Sequence, residues 1–132
     1  MYFLDSNVLI DYLKGTNIHV MEALKGMSPM DVKIPSIIEA ELMFGIYGGV
    51  DVEFRIRKLE ELISSFEIIP FDDSAARIYG KIRAEMRSNG TMIGPNDLLI
   101  ASTVLSRGGI LVTSNTKEFS RIRGLIIENW RS

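Results

Sequence analysis

MYFLDSNVLIDYLKG, residues 1–15, decides how the rest of the chain is read. Tyr2-Phe3-Leu4 is a short apolar run suited to a strand buried on both faces. It ends at Asp5, and residues 7–14 then read as a helix that Ser6 or Asn7 could cap and Gly15 could end. A buried strand handing a carboxylate to a helix start leaves that carboxylate at the rim of a sheet, partly out of water. An isolated charge there is costly unless it is paired or metal-bound. Asp is also a favoured helix cap, and Asp5 alone does not separate the two roles.

Helix and strand patterns alternate along the rest of the chain, with no internal repeat. Residues 17–27 read as a second helix, Lys33-Ile34-Pro35 as a strand, and Ser36 caps a helix running to about Tyr47 before Gly48-Gly49. Val50 to Ser65 reads as a helix with a charged outer face. Ile68-Ile69-Pro70-Phe71 reads as a strand leading to an Asp72-Asp73-Ser74 cap and a helix over 75–88, ended by Asn89-Gly90. Pro95 suits the first turn of a helix that continues to Ser106, and strands follow at Ile110–Val112 and Leu125–Ile127. Strands alternating with helices at this spacing imply βαβ crossovers, so the fold class is α/β with a parallel sheet between helix layers. Ligands of such sheets gather outside the carboxyl ends of the strands, where Asp5 and Thr113-Ser114-Asn115 would lie.

The 132 residues fit one domain, 1–132, with 46% hydrophobic and 24% charged residues, an ordinary globular composition. The absence of cysteine excludes a disulfide scaffold, a thiolate zinc site and a cysteine nucleophile. No basic leader and no run of about 18 apolar residues occur, so membrane insertion and secretion are disfavoured and the expected location is cytoplasmic. Neither glycine-rich phosphate-loop pattern is present, which leaves ATP and dinucleotide chemistry without support. The net charge of −2 hides an asymmetry: residues 1–73 hold 6 basic and 13 acidic residues, residues 74–132 hold 9 and 4. That pattern suits an acidic metal pocket beside a basic, phosphate-binding surface.

Two more carboxylates stand in apolar company. Glu41 lies within the helix 36–47, with Ile37, Ile38, Phe44 and Gly45 on its face, and Glu39 competes with it on equal helical grounds. Asp97, in Gly94-Pro95-Asn96-Asp97, occupies a helix first turn, where it could simply complement the dipole. Asn115 follows the strand 110–112 and could be a plain turn former. Together these residues would supply only oxygen ligands, which select Mg²⁺ or Mn²⁺ over zinc, and three close carboxylates need a cation to offset their repulsion. The single histidine, His19, lies away from all of them and reads as a surface residue. Arg77 with Lys81 and Arg83 with Arg87 form basic i,i+4 pairs able to contact phosphates, and Arg107, Lys117, Arg121 and Arg123 add charge near the last strands. The helix 36–47 is apolar all round, which calls for a deep core position or a second subunit or partner protein over it.

The order DSNVLIDYLKG, SIIEAELMFGI, IGPNDLLIAS and LVTSNTKEFSRIRGLIIENW resembles the PIN-domain family, specifically VapC-type toxin ribonucleases, over nearly the whole chain. The resemblance implies a three-layer α/β/α PIN-like domain with a central parallel sheet of four to five strands. It further implies a Mg²⁺- or Mn²⁺-dependent endoribonuclease cleaving RNA such as tRNA or rRNA. Asp5, Glu41, Asp97 and Asn115 fall on the family's site positions, with Asp5 and Asp97 as the principal metal ligands. Glu41 is preferred to Glu39 because it precedes the hydrophobic–aromatic–glycine ending Leu42-Met43-Phe44-Gly45. Many relatives carry aspartate where this chain has Asn115, which brings no charge and would orient outer ligands. Asp11 reads as a helix-surface residue. The resemblance also implies a cognate antitoxin that blocks the acidic pocket, and a homodimer. The alternatives are a non-catalytic PIN-like RNA-binding or scaffolding domain, and a phosphatase with an aspartyl nucleophile, which would need a second Asp where Asn7 stands.

Overall fold

The computed structural model describes residues 1–131. Among them are five short strands, β1 (Tyr2–Leu4), β2 (Val32–Pro35), β3 (Glu67–Ile69), β4 (Ile110–Val112) and β5 (Ile126–Glu128). They form a parallel sheet in the order β3-β2-β1-β4-β5. Flanking it are α1 (Ser6–Lys14), α2 (Ile18–Lys25), α3 (Ser36–Tyr47), α4 (Val52–Ile63), α5 (Asp73–Asn89), α6 (Pro95–Ser106) and α7 (Thr116–Phe119). The expected α/β class with a central parallel sheet is what the chain adopts. The first strand is the middle one, pairing Tyr2 with Val32 on one side and with Ile110 on the other. The chain order therefore reverses direction across the sheet at β1, and the carboxyl ends of β1 and β4 meet at that switch point.

Burial explains why these runs became strands. Phe3, Leu4, Ile34, Leu111 and Val112 are fully buried, as residues of a sheet covered on both faces must be. Helix α6 is buried nearly all round, and its inward hydroxyls are satisfied locally: Ser102 Oγ donates to the Leu98 carbonyl at 2.7 Å and Thr103 Oγ1 to that of Leu99 at 2.9 Å. Helix α3 differs. Only Ile38 and Ile46 are buried in it, while Phe44 and Tyr47 are 83% and 67% exposed, so this apolar helix is no deep core element.

Several boundaries depart from the sequence reading. The third strand stops at Ile69 rather than Phe71, because Pro70 has no N–H to extend the ladder. The last strand is displaced by one residue, since the Leu125 amide is engaged by the Ile122 carbonyl in the preceding turn. Ser36 is the first helical residue, and Pro35 occupies the cap position. Helix α4 begins only at Val52, after Asp51 takes a left-handed φ of 53°. Helix α5 starts at Asp73, with Asp72 Oδ1 accepting from the Ala75 amide at 3.0 Å. The short helix α7 and a 3₁₀ turn at Pro29–Asp31 were not expected.

Gly109 shows how tightly β1 packs. A Cβ there would stand 2.6 Å from Phe3 Cδ2 and 3.3 Å from the Met1 carbonyl, and the Phe3 ring is fully enclosed. Gly109→Ala is expected to lower stability by about 1–3 kcal/mol through overpacking, read as a lower urea midpoint at unchanged slope.

Candidate active site

Asp5 caps α1 and also faces the site. Its Oδ1 accepts from the Ser6 amide at 2.9 Å and its Oδ2 accepts from Thr113 Oγ1 at 2.7 Å, in surroundings that leave the residue 6% exposed. One oxygen therefore fills the cap role, and the other is held by the Thr113 hydroxyl. Its backbone is fixed too, because the Asp5 amide donates to the Val112 carbonyl at 2.9 Å, continuing the β1–β4 pairing. Thr113 is fully buried; its hydroxyl accepts from the Asn115 amide at 3.0 Å, and its own amide is held by the Glu128 carbonyl at 2.9 Å.

Glu41 and Asp97 converge on the same place from α3 and the first turn of α6. Burial raises the Glu41 pKa above the usual carboxylate range, the charge of Asp5 adds to the rise, and Ser6 and Asn96 partly offset it. Asp97 is pushed up to about 7 by burial, by a hydrogen-bonding approach of the Glu118 carboxyl, and by the negative charges of Asp5, Glu118 and Glu41. Asp5, Glu41, Asp97 and Glu118 therefore share one electrostatic site, supplied by a strand end and three helices. Glu39 is not among the groups that raise either carboxyl.

Glu118 was missed in the sequence. A signal for it existed: Asn115-Thr116-Lys117-Glu118 has the spacing of a capping box, in which the glutamate normally turns back to the cap residue's amide. Here Asn115 makes no side-chain cap. Its amide group instead reaches Glu118 Oε2 at 3.5 Å, and its backbone amide supports Thr113. Asn115 therefore touches the carboxylate that approaches Asp97 and the hydroxyl that holds Asp5.

Asp11 is not the surface residue expected. Its side chain is 11% exposed and carries a two-pronged ion pair with Arg131, 2.5 Å from Nε to Oδ2 and 3.0 Å from Nη2 to Oδ1. That guanidinium holds the Asp11 carboxyl below its ordinary range. His19 is exposed, as anticipated. Of the basic residues, Arg77 pairs with Asp73 and Arg107 with Asp72, and Arg121 donates to the Met92 carbonyl at 3.2 Å. Lys81, Arg87, Lys117 and Arg123 are exposed.

The donor set fits a hard divalent cation in kind, being all oxygen, and in charge, since Asp97 is under pressure to stay protonated. Among the described residues, no three ligating side chains are already drawn into a closed metal-binding group. A groove of about 400 Å³ runs from Glu41 between α1, α3 and α4, lined by Ile10, Leu13, Leu42, Ile46, Phe54 and Leu59, with Lys14, Arg55 and Lys58 at its sides. A somewhat larger groove, about 470 Å³, lies between α2 and α4 away from the carboxylates. Charge convergence rather than cavity size marks the site.

The PIN-domain family profile matches residues 2–125. The chain is 37% identical over 131 residues to ribonuclease VapC2 of Rickettsia felis, covering 98% of each chain. It is 36% identical over 129 residues to the tRNA(fMet)-specific endonuclease VapC of Salmonella typhimurium, covering 98% of this chain and 97% of that one. Among solved structures, VapBC2 from Rickettsia felis bound to a promoter DNA fragment superposes with a TM-score of 0.90 at 36% identity, covering 98% of each chain. DNA-bound VapBC from Salmonella typhimurium gives 0.91 at 36% identity, covering 98% and 97%. With its five-stranded parallel sheet, its carboxylates at the switch point and relatives of this similarity, the chain belongs to the PIN-domain family, among the VapC ribonucleases.

Proposed function

We propose that residues 1–132 act as a single PIN domain, a divalent-metal-dependent endoribonuclease that is the toxin of a toxin–antitoxin pair and cleaves tRNA. The observation that carries this reading is the convergence of Asp5, Glu41, Asp97 and Glu118, which concentrates negative charge in one place and pushes the Asp97 carboxyl up to about 7. Asp5 and Asp97 would hold Mg²⁺ or Mn²⁺, with Glu41 completing the set and Asn115 orienting Glu118. When bound, the cation lowers the pKa of an attacking water and offsets charge on the phosphoryl oxygens. Thr113 keeps the Asp5 carboxylate aimed, and exposed Lys81, Arg87, Lys117 and Arg123 would take the RNA backbone.

A tRNA substrate is supported by the tRNA(fMet)-specific endonuclease among the relatives, and a cognate antitoxin by the VapBC complexes among the structural neighbours. The groove leading to Glu41, apolar with a basic flank, suits an antitoxin segment that closes the site. The exposed Phe44 and Tyr47 suit a homodimer contact. Among the described residues no helix is long and apolar enough to cross a membrane, and cytoplasm is the location that suits a tRNA substrate. The test is incubation of the purified protein with total tRNA and with rRNA fragments in Mg²⁺, Mn²⁺ or EDTA, followed by mapping of product ends. Discrete tRNA cuts in either metal and none in EDTA are expected. Cleavage indifferent to EDTA refutes the metal-dependent reading.

A further inference from the structure

The Asp11–Arg131 pair lies outside the acidic site, yet it ties together two segments on which the site depends. Asp11 belongs to α1, the helix capped by Asp5. A carboxylate this enclosed is unfavourable without a counter-charge, and Arg131 supplies it as a fork on both oxygens. The third guanidinium nitrogen, Nη1, donates to Ser114 Oγ at 3.4 Å. Ser114 stands between Thr113, whose hydroxyl holds Asp5, and Asn115, whose amide holds that hydroxyl.

Arg131 is itself well anchored. Asn17 Nδ2 donates to its carbonyl at 3.3 Å, and its amide donates to Asn129 Oδ1 at 3.0 Å. The preceding Trp130 is 8% exposed, packs on Tyr2 with ring centroids 5.7 Å apart, and donates from its indole nitrogen to Glu128 Oε1 at 3.0 Å. Strand pairing fixes β4 only as far as Val112. Beyond it, the step 113–115 depends on the Glu128 carbonyl, on its own hydrogen bonds and on Arg131.

We propose that Arg131 is a positioning residue of the cleavage site: by clasping Asp11 and Ser114 together it locks α1 to the 113–115 step and so fixes the orientation of the Asp5 carboxylate. This rests on the reading of Asp5 as a group of that site. With the Arg131 side chain 38% exposed, the pair is only part-buried and solvent screens much of its contribution to stability, whereas a displaced ligand is felt directly by the reaction, so the clasp acts mainly on turnover.

The test compares Arg131→Gln, Asp11→Asn and the double variant with the unaltered protein and with Asp5→Asn, in tRNA cleavage well below each melting temperature. Each single change is expected to lower kcat about 10- to 100-fold with KM within about 2-fold, as for a small misplacement of a catalytic group. The double variant should lose no more than either single one, since both break one unit. Arg131→Lys should recover only part, because an ammonium cannot fork onto Asp11 and still reach Ser114. Hydrogen exchange of the Asn115 amide should quicken roughly 10-fold in the same variants while that of Leu111 in β4 is unchanged. Unaltered kcat in folded Arg131→Gln, beside an inactive Asp5→Asn, overturns the proposal, as do additive losses in the double variant. If Asp5→Asn cleaves normally, the site reading fails instead, and unchanged Asn115 exchange then overturns the clasp by itself. Should Arg131→Gln not fold, Ser114→Ala removes one hydroxyl only; faster Asn115 exchange with a kcat loss of about 3-fold supports the clasp, and no change in either overturns it.

Discussion

Asp5→Asn is expected to reduce RNA cleavage by roughly 10³-fold, the range lost when one group of a catalytic constellation is removed, while the circular dichroism spectrum is retained. The substitution preserves shape and removes charge. Asp5 accepts two hydrogen bonds, one on each oxygen, from the Ser6 amide and the Thr113 hydroxyl. Asparagine has a single acceptor oxygen, so its NH₂ must face one of these donors. Thr113 Oγ1, which already accepts from the Asn115 amide, has a second lone pair for that NH₂, but its own proton then loses the acceptor it had in Asp5. One mispaired buried group costs about 1–3 kcal/mol, offset in part because Asp5 no longer repels Glu41 and Asp97. The predicted signature is a near-total loss of cleavage with a small change in urea midpoint. Cleavage within a few-fold of the unaltered protein would remove Asp5 from the mechanism.

Asp97→Asn should separate stability from activity. The Asp97 carboxyl is raised from 3.8 to about 7, chiefly by burial. Between those values the unfolded chain has released the proton and the folded chain keeps it, so folding weakens as pH rises. The contribution is fully present below about pH 4 and is lost as pH climbs through about 7, and the raised Glu41 acts in the same direction. Asparagine has no proton to lose. In EDTA the variant should therefore melt a few degrees above the unaltered protein at pH 8, with a smaller difference at pH 5; partial exposure of Asp97 to solvent screens the effect. Mg²⁺ should raise the melting temperature of the unaltered protein at pH 8 and that of the variant less, because binding to the folded state alone stabilises it. Cleavage by the variant should fall roughly 10²- to 10³-fold. Identical pH dependence of melting in the two proteins would show that Asp97 carries no such strain.

Much of the site could be read from local sequence because each carboxylate announced itself by its apolar neighbours. Asp5 ends a buried strand, Glu41 sits in an apolar helix, and Asp97 opens one. The choice between Glu41 and Glu39 could not be made from helical position, since both have apolar neighbours at i±3 and i±4. Glu118 escaped notice for a related reason: in a four-residue helix its spacing from Asn115 reads as a cap, and only the approach of α6 turns its carboxyl toward Asp97. Asp11 was misread because its partner is 120 residues away, at Arg131.

By itself the sequence determined the α/β class, the order of the elements and the supply of oxygen donors for the candidate site. Those follow from short-range physics: apolar runs of strand length, cap residues, glycine and proline punctuation, and a supply of oxygen donors without cysteine. Tertiary structure decided which elements became neighbours and what that proximity did to their chemistry. Two apolar helices show the difference, for α6 is enclosed on nearly all sides while α3, the more apolar of the two, leaves Phe44 and Tyr47 in solvent. Burial and pKa depend on atoms brought together from distant parts of the chain. Asp97 is therefore an ordinary first-turn aspartate in the sequence, and a strained acid only after Asp5, Glu41 and Glu118 have been folded against it.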